Sequence, residues 1–412
     1  MSQIIAAAAP PPTNRRALLP WYVCHFSVVF CYSIITNAIY TLSIYRLKEP
    51  VASTLWVAAG GGLIYTLSAF FSGRMVERFG SKRILLYSTA ACVLVCLSAY
   101  IAAASNVFIM MSVSIWLLNL LATPSWPAIE SALSRSPGTL RLGTRMMFYN
   151  LSWSTSSFVA FFLTGALGEW LGWRHLFLIL GLCVIGVWFL MAGWTIPQSM
   201  ILKEHVEDHS EKTATVAPMK AATLLILAWV ANLFAYVCAN SLVPLMPAIT
   251  LGLGIASTGL ATAIGSVWLL ARVLGFYLSW LWTGWRYRIR WKLAFFIILV
   301  LSTFFLIISQ TVSELILLEI VFGLAAAMIY SGSLYYAMHL SRGSGKNAGI
   351  HEAVIGVGTV LGPAIAAMSG SAGSLAPKAL AILILQGGGL GIMLVLAYRL
   401  KLRMKPVAAK AS

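Results

Sequence analysis

The residues able to do chemistry in this chain are few, and most sit inside long apolar runs. Glu319 is an acid in such a run; it would either exchange a proton with a wet interior or pair with a cation near an apolar boundary. Arg272, in another run, would either hold a carboxylate through its planar fork of donors or carry its charge out to water on its long stem. Asn232, Tyr236 and Asn240 recur at i, i+4 and i+8. That spacing marks one helix face, which either lines a polar cavity or hydrogen-bonds a neighbouring helix. His205 and His209 lie one helical turn apart in a polar stretch and read as a solvated face. Cys24, Cys31, Cys92, Cys96, Cys183 and Cys238 all lie in apolar runs without metal-site spacing and read as small packing residues. Cys92 and Cys96 share a face, but two soft ligands without a third do not make a metal site. Neither His-Glu-x-x-His nor Gly-x-Ser-x-Gly occurs, nor a phosphate-cradling Gly-x-x-x-x-Gly-Lys-Ser/Thr. No enzyme, cofactor or metal is therefore expected.

The elements that position these residues follow from composition. The chain has 412 residues, 60% hydrophobic and 9% charged, where soluble proteins carry about 25% charged residues. That excludes most soluble enzymes and any disordered chain, and makes the lipid bilayer the expected solvent. The net charge of +17 is spread between apolar runs rather than clustered, so no nucleic-acid partner is predicted. A bilayer core about 30 Å thick needs roughly 20 apolar residues per helix. Spans are predicted near 21–45, 53–72, 84–104, 106–126, 147–168 and 176–196, then near 221–246, 256–283, 293–309, 314–338, 351–371 and 379–398. The chain thus divides into a tail over 1–20, a six-helix bundle over 21–197, a polar linker over 198–220, a second bundle over 221–398 and a basic tail over 399–412. Alternate connections hold 23 Lys and Arg on one side against 4 on the other, which predicts that both termini are cytoplasmic. Residues 1–16 have no apolar stretch before Arg15 and Arg16 and read as a disordered tail rather than a cleaved signal.

Span two ends in Gly73-Arg74-Met75-Val76-Glu77-Arg78-Phe79-Gly80-Ser81-Lys82-Arg83. This resembles the signature loop of the major facilitator superfamily (MFS), Gly-x-Leu-Ala-Asp-Arg-x-Gly-Arg-Arg/Lys. Gly73, Arg78, Gly80 and Lys82 match, Glu77 takes the acidic position, Met75 takes that of Leu, and Ser81 replaces a base. The resemblance implies an all-α membrane protein of twelve transmembrane helices in two six-helix bundles. It also implies a secondary active transporter that moves a small organic solute by alternating access. Glu77 would latch onto the start of span eleven at Gly349, Ile350 and His351, with Arg78 pairing nearby with Glu130, and His351-Glu352 capping that helix and joining the network.

The same resemblance places a cavity near the midplane, built mainly from spans one, four, seven and ten. Its expected lining is Asn37, Tyr40, Trp116, Asn119, Asn150, Asn232, Tyr236, Asn240, Arg272, Tyr330 and Tyr335. Such a lining suits a neutral, zwitterionic or monoanionic solute and not a phosphate ester, which would want several bases. Glu319 is the candidate for proton coupling. Symport, antiport and uniport all remain open, and a transport-inactive receptor of the same fold is the alternative. A monomer in the plasma membrane, the inner membrane of a bacterium, is expected. Two features depart from common members: span four has no mid-membrane Arg, and span five lacks a Gly-Pro antiporter motif. Gly358-Thr359-Val360-Leu361-Gly362-Pro363 lies in span eleven instead and reads as close helix packing with a kink. Replacing the latch acid, Glu77→Gln, should cut transport strongly while leaving membrane insertion intact; solute uptake into cells against a surface-labelling control measures both, and unchanged uptake removes the latch.

Overall fold

The computed structural model describes residues 18–135, 142–194, 218–286, 288–341, 345–370 and 374–403, nearly all of them helical. The linker over 198–220 and the two tails fall wholly or mostly outside the described residues. Twelve rods result. In the first half they are α1 (Leu19–Thr41), α2 (Val51–Phe79), α3 (Ser81–Ser105), α4 (Phe108–Leu121 and Ser125–Arg135), α5 (Leu142–Leu171) and α6 (Trp173–Gly193). In the second half they are α7 (Pro218–Gly252), α8 (Thr258–Ile264 and Val267–Leu281), α9 (Ile289–Ile307), α10 (Val312–Ser341), α11 (Gly345–Met368) and α12 (Ala376–Arg403). Among the described residues eleven are long and apolar enough to cross a membrane, and α5, with 30 residues, makes the twelfth. They form the two six-helix bundles of an all-α membrane protein.

The order of burial follows from where each rod packs. In its most apolar window α1 is 78% buried, whereas α6 and α12 are each only 28% buried. The exposed side chains of the outer rods are large and apolar, such as Leu182 and Phe189 on α6 and Ile384 and Val395 on α12. A hydrocarbon solvent takes such side chains without cost, so they need no protein cover.

Three rod boundaries differ from the sequence expectation. The signature segment is not a loop: α2 continues through Glu77 to Phe79, and only Gly80, at φ +83°, turns the chain before α3 starts at Ser81. A left-handed residue there favours glycine. Span four does not end near 126; after a turn at Pro124 it resumes as Ser125–Arg135, with Pro127 in its first turn, where a missing N–H is harmless. Span eleven begins at Gly345, so His351 and Glu352 lie in its second turn and cannot cap it.

The bundles meet along two seams, α2 against α11 and α5 against α8. On the first seam small residues let the backbones approach: a Cβ on Gly356 would fall 2.4 Å from Thr66 Oγ1 and 2.8 Å from Thr66 Cα. On the second, toward the end away from Gly80, Glu169 of α5 accepts hydrogen bonds from the Thr258 and Gly259 amides (2.7 and 3.1 Å) and from the Thr258 hydroxyl (2.8 Å). A carboxylate there meets the positive N-terminus of α8. Gly356→Val should therefore overpack the seam and lower stability by about 1–3 kcal/mol. Gly186→Val, on α6 with nothing within 4 Å of the new Cβ, should melt like the parent protein. Thermal unfolding in detergent compares them; equal melting of all three proteins contradicts this packing.

Candidate functional site

A cavity of about 200 Å³ lies between the bundles, walled by α1, α2, α4 and α5 on one side and α7, α8, α10 and α11 on the other. Its chemistry is split between an acidic cluster toward the Gly80 end and one cation on the α8 wall.

The acidic cluster joins the two bundles. Glu130 on α4 and Glu352 on α11 are 2% and 4% exposed, and their carboxyl groups lie against each other. With His351 they bring three potential ligand atoms within 4.8 Å of one another. Glu352 lies seven residues into α11, about 10 Å along its axis, which carries it from the helix end to the cavity wall. Two tyrosines of the first bundle hold the pair: Tyr65 of α2 donates its hydroxyl across the seam to Glu352 Oε2, and Tyr149 of α5 donates to Glu130 Oε1 at 3.0 Å. His25 of α1 stacks on Tyr149 with ring centroids 4.5 Å apart and bonds Ser152 Oγ through Nδ1 at 2.8 Å. His351 Nδ1 lies 3.4 Å from Ser333 Oγ of α10, and Tyr330 of the same rod packs 5.9 Å from its ring. Two carboxyls and an imidazole could hold either a proton or a cation, but each carboxyl already accepts a tyrosine proton.

The cation is Arg272. Its guanidinium carbon lies 4.4 Å from the ring centre of Trp153 on α5 and 4.6 Å from that of Trp268 on α8. It lines the cavity and does not reach water at a membrane edge, so it is not a snorkelling base. Its Nε has no hydrogen-bond partner, Tyr236 and Tyr330 line the same cavity, and among the described residues no carboxylate pairs with it.

Of the other expected lining residues, Tyr40, Asn119, Tyr236, Asn240 and Tyr330 face the cavity. Asn119 also accepts the Tyr32 hydroxyl at 2.8 Å. Five lie elsewhere. Asn37 donates to the Phe161 carbonyl at 3.2 Å and lines a smaller cavity toward the opposite end. Trp116 donates to the Val57 carbonyl at 3.1 Å, seated over Gly60. Asn150 accepts the Trp153 indole N–H at 3.3 Å, so it positions the ring that stacks on Arg272. Asn232 is buried with both amide atoms unpartnered, at the level where α11 presses onto the Leu233 carbonyl through Gly358 and closes the wall. Tyr335 packs against Trp285 and under Arg286 at the Gly80 end.

The gating residues also divide. Gly73 packs against Gly349 on the α2–α11 seam, as a latch at that end requires. Glu77 and Arg78 are exposed on the last turn of α2, with Arg78 over the Phe79 ring at 5.2 Å. The expected Arg78–Glu130 pair is replaced by the Glu130–Glu352 contact, because α4 continues inward past Pro124. Lys82 caps the end of α6 through the Ala192 and Trp194 carbonyls, a favourable site for a cation. Glu319 is buried outside the cavity and faces the Val267 and Trp268 amides, where α8 restarts, without closing a hydrogen bond.

Sequence reading missed Tyr65, Tyr149, Tyr32 and Trp268. Trp268 had a usable signal, since it precedes Arg272 by one helical turn.

A family model described as the Major Facilitator Superfamily matches residues 21–363. No curated protein sequence matches the chain. Among solved structures the chain is similar to a bacterial homologue of the human lysosomal transporter Spinster in an inward-facing and unoccupied conformation. That match has 13% identity and a TM-score of 0.64, and covers 96% of this chain and 97% of that one. With twelve apolar rods in two bundles around a central cavity and a family match across most of its length, the chain belongs to the Major Facilitator Superfamily of membrane transporters.

Proposed function

We propose that the protein is a secondary active transporter that moves a small organic solute by alternating access, coupled to protons through Glu130 and Glu352. The single observation that carries the coupling is the contact of two buried carboxyl groups from opposite bundles at the cavity wall. Two carboxylates in contact and away from water cannot both be charged, so the pair holds a proton whenever the bundles are closed on each other. Losing that proton leaves two like charges side by side, and separating the bundles at the Gly80 end relieves them.

Glu319, expected from sequence as the proton carrier, lies buried outside the cavity near the restart of α8, and the cavity-wall acid Glu352 is preferred for the coupling on that ground. Among the described residues Tyr65, Tyr149 and His351 stand against the pair, with His25 behind Tyr149 and Tyr330 beside His351. Arg272 is on the α8 wall of the same cavity. Exit toward the opposite end requires Glu169 to release the start of α8.

In this reading the Lys- and Arg-rich end faces the cytoplasm, both termini lie there, residues 198–220 link the bundles, and the working unit is a monomer in the plasma membrane of a bacterium. Asn119, Tyr236 and Asn240 supply polar contacts to the solute.

Purified protein in proteoliposomes, screened with a panel of organic solutes with and without an imposed pH gradient, tests this. The gradient should drive accumulation of at least one solute. Glu352→Gln, which keeps a neutral group against Tyr65, should abolish that accumulation yet retain solute-for-solute exchange. Accumulation that ignores the gradient overturns the coupling, and absence of any exchange in the parent protein favours the receptor alternative.

A further inference from the structure

The cavity holds a charged group that nothing described in the protein neutralises. Arg272 is 8% exposed, lies between the bundles, and is stacked with two indole rings. It is the one Lys or Arg on the cavity wall among the described residues. A buried guanidinium is costly to keep without a counter-charge, and mutual attraction repays the cost only when a partner is present with good geometry. Its neighbours here are rings and tyrosine hydroxyls. These stabilise a cation by quadrupole and dipole but leave its full charge uncompensated. The missing partner must come from outside the chain.

The chemistry of that partner can be narrowed. Guanidinium donors radiate in one plane as a fork, which matches the two oxygens of a carboxylate. A dianionic phosphate would want further bases, and the wall offers none. A free ammonium on the same solute would need an acceptor. The acid on the wall, Glu352, is already engaged by Tyr65 and Glu130. Around the cation the wall is aromatic: Trp153 meets Tyr330 at 5.3 Å and Phe276 at 5.4 Å, and Tyr236 meets Tyr330 at 6.1 Å. Such a surface takes an apolar body.

We infer that the solute is an organic monoanion whose single carboxylate docks on Arg272 and whose apolar body lies against Trp153, Trp268, Tyr236 and Tyr330. Trp153 and Arg272 belong to opposite bundles, so a bound carboxylate sits on the joint that must move. Asn150, bonded to the Trp153 indole, is a positioning residue for the same contact. The inference names the substrate class for the transport site of the preceding section and rests on that reading.

Equilibrium binding to the full chain in detergent tests it without any gradient. The probes are 3-phenylpropanoate, its amide, 3-phenylpropylamine and phenylalanine, with benzoate and octanoate each compared with its own amide, followed by titration calorimetry. At least one carboxylate should bind, its amide at least about tenfold more weakly, the amine not at all, and phenylalanine no better than 3-phenylpropanoate. Arg272→Lys keeps the charge but not the fork, and should weaken carboxylate binding at least about tenfold with an unchanged melting temperature in the absence of solute. If that variant fails to fold, the carboxylate-to-amide ratio on the parent protein decides alone. A panel in which no carboxylate binds, equal binding of acid and amide, tighter binding of the amine or of phenylalanine, or full affinity in a folded Arg272→Lys overturns the inference. Carboxylate binding without gradient-driven uptake supports this assignment while overturning proton coupling. Gradient-driven uptake of an uncharged solute with no carboxylate bound does the reverse.

Discussion

Burying two carboxyl groups against each other is tolerable only with a proton between them and donors around them, and the rest of this molecule is arranged about that constraint. Glu130 and Glu352 come from opposite bundles, 222 residues apart in the chain (352 less 130). Tyr65 donates to Glu352 and Tyr149 to Glu130, both from the first bundle. The contact is therefore more than a packing detail. Under the proposed coupling it makes closure of the Gly80 end depend on a proton, because the same two oxygens that attract through a shared hydrogen repel once it leaves.

The rods around the pair supply the geometry that lets it form and part. The α2–α11 seam is lined by small residues, so backbones touch with few side chains to disentangle when the bundles tilt. The α5–α8 seam is held at one end by a carboxylate on a helix start, an interaction strong enough to bias a state and weak enough to break. The interruption of α8 at Gly265-Ser266 restarts that rod so that Arg272, six residues beyond Ser266, falls on the cavity wall under Trp153. Glu319 of α10 lies buried beside that restart, outside the cavity. Glu352 and Arg272 line one cavity from different rods, α11 and α8.

Much of this architecture was legible in the residues. Apolar runs about as long as a bilayer is thick identify the rods, and the Gly73–Arg83 segment identifies the family, because both are local in sequence. Arg272, Tyr236, Asn240 and Tyr330 could be placed on a wall because a polar group in hydrocarbon has few alternatives. What escaped was set by tertiary context. Pro124 and Pro127 mark a helix end in a one-dimensional reading, yet the rod resumes and delivers Glu130 inward rather than to a loop. His351-Glu352 sits beside a polar stretch and reads as a cap until the helix is seen to begin six residues earlier. Asn232 keeps the periodicity of Tyr236 but not their surroundings, since Gly358 brings α11 onto α7 at that level. Glu319 is conspicuous as a buried acid in a span, but no periodicity shows whether such an acid lines the cavity, and it lies outside it.

The most direct test of the acid pair is a distance. Spin labels at positions 83 and 290, exposed at the Gly80 ends of α3 and α9 and introduced after removal of the native cysteines, report the separation of the two bundles at that end. Pulsed electron resonance across a pH series should show the long-distance population growing as pH rises in the parent protein, and a short distance held at every pH in Glu352→Gln. A distribution that ignores pH in the parent protein, or that shifts equally in the variant, contradicts the claim that a proton shared by Glu130 and Glu352 closes this end of the transporter.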